Sequence, residues 1–112
     1  DLARFLIAYQ GLGGGELISG LSRQMMETPL VRVTESDAGP IPGLKMGLGW
    51  FCVTDRRGRV SLSHGGNGMG FAAMVRLYPQ EALGIAVVGN STYLGARQGL
   101  DLVEAIADVP WQ

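Results

Sequence analysis

Cysteine is almost missing from this sequence. Cys52 stands alone among 112 residues, so neither an intrachain disulfide nor a cysteine-based metal cluster can form. Histidine is represented by His64 only and lysine by Lys45 only, beside eight arginines. One His and one Cys are too few strong ligands for zinc, so no metal is expected. Charge of either sign is sparse: charged residues make up 17% and the net charge is −1. No long-range field recruits nucleic acid or an anionic membrane surface. No run reaches the roughly 18 apolar residues of a membrane-spanning helix, and no signal-peptide pattern opens the chain. There is no initiator Met either, and Asp1 stands at what reads as the first turn of a helix, as in a chain cut from a longer one. With no targeting segment and no paired cysteines, the composition selects no compartment.

What is abundant is apolar surface and glycine. Apolar residues account for 46% of the chain and glycines number 18. Such a balance excludes disorder, which needs low hydrophobicity and high net charge. In so short a chain it also predicts exposed apolar surface, to be covered by self-association or by a missing part of the same protein.

Leu2, Phe5, Leu6 and Tyr9 fall at i, i+3, i+4 and i+7, the stripe of an amphipathic helix. The run Gly11–Leu12–Gly13–Gly14–Gly15 stops it. A second helix is expected over Ser19–Glu27, ended by Pro29, and residues 30–46 read as an irregular connection. From Gly47 the period becomes extended. Leu48–Val53 reads as a strand, Thr54–Gly58 as a turn whose neighbours Arg56, Arg57 and Arg59 are solvated. Val60, Leu62 and His64 alternate with Ser61 and Ser63, one dry and one wet face. A glycine-dense loop over 65–70 follows, then a strand over Phe71–Tyr78. Gly84–Gly89 is apolar on both faces, the pattern of a central strand. A helix from about Gly95 to Ala107 closes the chain. The expected architecture is α+β, an antiparallel sheet of about four strands with N- and C-terminal helices packed on it. Residues 1–112 would form a single partial domain: a helical and irregular lead-in over 1–46, strands over 47–91 and a helix over 92–112.

The glycines do not fit a nucleotide loop. In Gly66–Asn67–Gly68–Met69–Gly70 the third glycine of a dinucleotide fingerprint comes one residue early, and a strand rather than a helix follows. Lys45 is followed by Met46, which excludes a Gly-Lys-Ser/Thr loop. No cofactor is implied. An internal Ser-His-Asp triad is disfavoured as well. No serine sits in Gly-x-Ser-x-Gly, and Ser63 lies on the strand face opposite to its neighbour His64.

The remaining unusual segment is Ser63–His64–Gly65–Gly66–Asn67–Gly68–Met69–Gly70–Phe71. A histidine ending an alternating strand, with two glycines after it, leaves main-chain groups uncovered by side chains, as where a ligand or another chain approaches closely. His64–Gly65–Gly66 resembles the third motif, Lys/His-Thr/Ser/Gly-Gly, of the serine β-lactamase-related family, which includes class C β-lactamases, DD-peptidases and related esterases. Gly49–Trp50, Gly68–Phe71, Tyr78–Pro79 and Leu83–Asn90 resemble that family's closing strands, and Asp1–Leu6 a helix late in its helical region, so the likeness runs along the whole chain in order.

The resemblance implies an acyl-serine mechanism on ester, amide or peptidoglycan-type substrates. It implies His64 and the backbone N–H of Asn67, completing an oxyanion hole, as catalytic groups, and Gly65, Gly66 and Asn67 as substrate-binding positions. The family's other motifs are missing from these residues. Pro42 stands three places before Lys45, so Ser-x-x-Lys is impossible, and none of Tyr9, Tyr78 and Tyr93 begins Tyr-x-Asn. The chain alone would therefore be an inactive C-terminal fragment; the alternative is a non-catalytic peptide-binding or structural module with the same sheet. Histidine in place of lysine carries little charge near neutral pH, and Gly65 replaces a hydroxyl residue. Both changes weaken binding of a β-lactam carboxylate and point to an esterase, peptidase or amidase parent.

Overall fold

The computed structural model describes residues 1–34, 41, 43–91 and 96–110. Three α-helices and a six-stranded antiparallel sheet account for most of them. Helix α1 spans Leu2–Tyr9 and α2 Gly20–Glu27, with Ser19 at its N-cap, its hydroxyl accepting from the Ser22 N–H at 3.2 Å. Helix α3 spans Ala96–Ala107; Gly95 lies outside the described residues. The strands are β1 (Val31–Arg32), β2 (Lys45–Met46), β3 (Phe51–Thr54), β4 (Val60–Gly68), β5 (Phe71–Tyr78) and β6 (Leu83–Gly89), neighbours in chain order throughout.

The α+β expectation stands, with four differences. Two short strands, β1 and β2, lie inside the stretch read as irregular. Their pairing of Val31 with Met46 and Arg32 with Lys45 is too brief to show a period of two. The stretch read as a glycine-dense loop is strand: β4 pairs with β5 without interruption from Leu62↔Leu77 to Gly68↔Phe71, and only Met69 and Gly70 make the turn. The strand β6, patterned like a central strand, is at the sheet edge. Finally, Arg59 is no solvated turn residue. Its Nε meets Asp55 Oδ2 at 2.7 Å, its Nη1 donates to the Ala107 carbonyl at 3.0 Å and its Nη2 meets Asp108 at 2.8 Å, tying the β3–β4 turn to the end of α3.

Alternation along the strands gives the sheet two faces. On one, Leu62 of β4 and Leu77 of β5 pack with Leu6 and Tyr9 of α1 and with Trp50. On the other, Tyr78 and Ile85 pack with Val103 and Ala107 of α3. Arg76 is completely buried on this α3 side, its Nη1 3.6 Å from Glu104 and 3.4 Å from the Tyr78 hydroxyl.

Candidate functional site

The strand β4 carries every residue singled out above. Its geometry follows from where β3 stops. The chain turns from β2 into β3 at Leu48–Gly49, closed by the Gly47 N–H donating to the Trp50 carbonyl at 2.8 Å. Gly49 takes φ 83°, a left-handed conformation that suits glycine. Because of this turn, β3 begins only at Phe51, opposite Ser63. Beyond Ser63, β4 runs on with β5 along one edge and, among the described residues, no strand along the other.

The direction of the uncovered main-chain groups can be worked out. Hydrogen-bonded and non-hydrogen-bonded pairs alternate in an antiparallel ladder. The Asp55 N–H donates to the Arg59 carbonyl at 3.0 Å across the β3–β4 turn. Stepping by two from that pair, Ser61 and Ser63 direct their N–H and C=O groups to β3, and Gly65 and Asn67 direct theirs the same way, past the end of β3. His64, Gly66 and Gly68 direct theirs to β5. Gly65 and Asn67 thus present backbone donors and acceptors at an open edge, and His64 to Asn67 are all exposed.

The side chains sort by face. His64 projects on the α1 face, its ring stacked on Phe51 with centroids 5.9 Å apart and planes at 28°. A cavity of about 420 Å³ opens beside it, walled by Phe5, Tyr9, Met26, Trp50 and Val75 among others. This size lies within the range of small-molecule pockets. The Tyr9 hydroxyl accepts from the Trp50 indole N–H at 2.9 Å, so the wall's one phenol is already engaged. Burial first, and then the nearby Glu27 charge, push the Tyr9 phenol up to about 12. Burial likewise raises the Glu27 carboxyl, against the opposing pull of Arg23. His64 is left as the polar group of the lining that carries no such internal bond.

Ser61 and Ser63 face α3 and are buried. Their hydroxyls donate to the Val53 carbonyl at 3.0 Å and the Val75 carbonyl at 3.3 Å. Neither is presented to His64, in keeping with the expectation that Ser63 and His64 make no nucleophile–base pair. Cys52 is half-buried; burial raises its thiol, which lies 3.5 Å from the Glu27 carbonyl oxygen. That is a structural thiol rather than an activated one. Among the described residues no cluster of His, Cys, Asp and Glu could hold a metal, and no helix is long and apolar enough to cross a membrane.

Tyr9, Trp50 and Val75 were not singled out as site residues from the sequence. Tyr9 and Trp50 meet across 41 positions of chain, a contact that no local period announces. The signal that could have found them is the one polar handle on each ring, which needs a partner when buried.

The model of the β-lactamase family matches residues 1–108. No curated protein sequence matches. Among solved structures, the octameric penicillin-binding protein homologue from Pyrococcus abyssi superposes with a TM-score of 0.77 at 21% identity over 95% of this chain. The chain spans 23% of that protein.

Proposed function

The chain belongs to the β-lactamase family, and from that premise we propose that it supplies one wall of the acyl-transfer cleft of a serine hydrolase whose nucleophile lies outside residues 1–112. The observation that carries this reading is the open edge of β4 beyond Ser63, with the main-chain groups of Gly65 and Asn67 turned into it.

In the proposed reaction a substrate lies along this edge as an added strand, held by backbone pairing at Gly65. The Asn67 N–H then points at the carbonyl oxygen under attack. A donor fixed by the ladder with β5 needs no reorganisation when charge develops there, and that is the condition for stabilising an oxyanion. Gly66 leaves the α1 face beside His64 without a side chain, and no heavy atom lies within 4 Å of where its Cβ would be. His64 sits at the mouth of the cavity, where it can exchange a proton or hydrogen-bond with the leaving group. An acyl-serine forms when the hydroxyl of a serine outside these residues adds to the carbonyl and the alcohol or amine departs with a proton; water then adds to the acyl-serine carbonyl, the serine oxygen departs with a proton and the carboxylic acid is released. The uncharged character of the cavity wall supports ester or amide substrates over β-lactams bearing a carboxylate.

The test is mass spectrometry after exposure to a fluorescent acyl β-lactam or an aryl ester. The isolated chain remains unmodified, whereas a longer chain carrying Ser-x-x-Lys upstream is acylated on that serine. In the longer chain, Asn67→Pro slows acylation by about 10²-fold or more, since it deletes the proposed donor. A covalent adduct on any serine within residues 1–112 sinks the proposal. Reversible peptide binding by the isolated chain, with no acylation of the longer one, would favour the binding-module reading instead.

A further inference from the structure

Phe51, the first residue of β3, takes no part in the acyl-transfer reading, yet it meets the side chain that this reading asks to handle a proton. Its ring and the His64 imidazole stack with centroids 5.9 Å apart and planes at 28°, within the usual range for paired aromatic rings. In register Phe51 faces Ser63, so it belongs to the α3 face. His64 projects on the α1 face, and the two rings therefore meet around the end of β3. Among the described residues no hydrogen bond or ion pair holds the imidazole. The platform is itself fixed: Phe51 is paired with Ser63 and packs against the buried cluster of Leu44 and Val53.

A stack orients an imidazole in a way that a hydrogen bond does not. A hydrogen bond from one ring nitrogen to a carbonyl or carboxylate commits that nitrogen and sets the tautomer. Contact through the ring face commits neither, because Nδ1 and Nε2 lie in the ring plane and point outward from its rim. An imidazole held in this way gives a proton to one oxygen and collects one from another without leaving its place.

We infer that Phe51 is a positioning residue of this site: its ring holds the His64 imidazole at the mouth of the cavity with both nitrogens free for proton transfer. The inference rests on the acyl-transfer reading. In that reaction the attacking serine gives its proton to a base outside residues 1–112, and His64 supplies the proton that the departing oxygen or nitrogen takes up. Water returns a proton to His64 as it adds to the acyl-serine, and the outside base returns the serine's own. Phe51 touches no reacting atom and acts through His64.

The test compares two butyrate esters on the longer chain that carries Ser-x-x-Lys, with acylation followed by mass spectrometry. Nitrophenyl butyrate has a leaving group that departs as an anion; the ethanol of ethyl butyrate needs a proton. Phe51→Leu keeps an apolar side chain in the cluster and removes the planar face. It should slow acylation by ethyl butyrate about tenfold or more and leave nitrophenyl butyrate within about twofold of the parent. Phe51→Tyr restores the ratio. In a His64→Ala background Phe51→Leu changes neither rate further, since its ring would have nothing left to hold. Equal losses on both esters, or a loss that persists in the His64→Ala background, mean that Phe51 only packs, and overturn the inference. A second readout needs no activity. His64 is the one histidine in the chain, so NMR reads its imidazole protons directly, and Phe51→Leu should remove the shift that the Phe51 ring current imposes on them. Unmoved signals overturn the inference by themselves. A His64→Ala chain that keeps the parental ratio of the two rates sinks instead the role given to His64, whatever the NMR shows.

Discussion

The indole N–H of Trp50 and the hydroxyl of Tyr9 form one buried bond that closes the floor of the cavity. Replacing Tyr9 with Phe removes the acceptor and strands a buried donor, which costs about 1–3 kcal/mol. Urea denaturation followed by Trp fluorescence would show the midpoint falling accordingly. The same phenol makes stability fall in alkali. Its folded value, raised to about 12 by burial and then by Glu27, exceeds the unfolded value near ~10. The stabilisation is therefore complete below the unfolded value and is lost as the pH rises toward the folded one. Denaturation midpoints at increasing pH should drop less steeply in Tyr9→Phe than in the parent. Gly47 offers a second residue-scale test. A Cβ there would overlap the carbonyl oxygens of Met26 and Thr28, which are backbone and cannot swing aside. Gly47→Ala should therefore lose about 1–3 kcal/mol, measured by thermal melting, although alanine normally strengthens a chain relative to glycine. Neither residue was legible beforehand as a point of contact. The sequence marks Gly47 as a change of period and Tyr9 as a helix-stripe residue, and long-range closeness leaves no local mark on either.

At the scale of elements, the β3–β4 turn and α3 act as one unit through Arg59. Burial pushes the Asp55 carboxyl up, but the backbone N–H and guanidinium of Arg59 and the N–H of Arg57 outweigh it and hold it below its ordinary value. A lowered folded value supplies stability above the unfolded carboxylate range near ~3.9. That stability is lost as the pH falls through the folded value. Arg59→Met leaves Asp55 buried without its partner and frees the last turn of α3, a loss of about 3–5 kcal/mol. Chemical denaturation at neutral pH checks the size, and an acid titration of the variant should show a shallower loss than the parent. Element by element, α1 and α3 were legible because each keeps a helical hydrophobic period for two turns or more, and β5 because it is a largely apolar run of strand length ended by Pro79. The strand β4 was legible only to His64. From Gly65 onward it has no side chains with which to display a period of two, and its partner β5 decides its conformation. The candidate positions His64 to Asn67 were marked by their glycines, but the end of β3 that opens the edge beside them depends on a turn at Leu48–Gly49 and carries no such mark.

For the whole molecule, the two faces are served unequally. The α3 face holds Arg76, Tyr78 and Ile85 under a twelve-residue helix. On the α1 face the eight-residue helix α1, with Ile18 and Met26 beside it, covers only part of the sheet, and Phe71 remains 58% exposed. An environment-sensitive dye such as anilinonaphthalene sulfonate should therefore fluoresce with the native chain, and Phe71→Lys should reduce the signal by about half or more without lowering secondary structure. Equal dye fluorescence in the variant would locate the bound dye elsewhere. The apolar surplus was readable from composition, but the face on which it falls was not, because that depends on which side each helix takes.

The open edge of β4 has one last consequence. What it offers is main chain, so the offer is indifferent to the identity of the side chain at position 67. Asn67, exposed and projecting on the opposite side from His64, could drift to almost any residue over generations while the same N–H remained in place. Proline is the single amino acid that cannot supply it. Among related sequences that keep this chemistry, position 67 should therefore wander freely and exclude one letter.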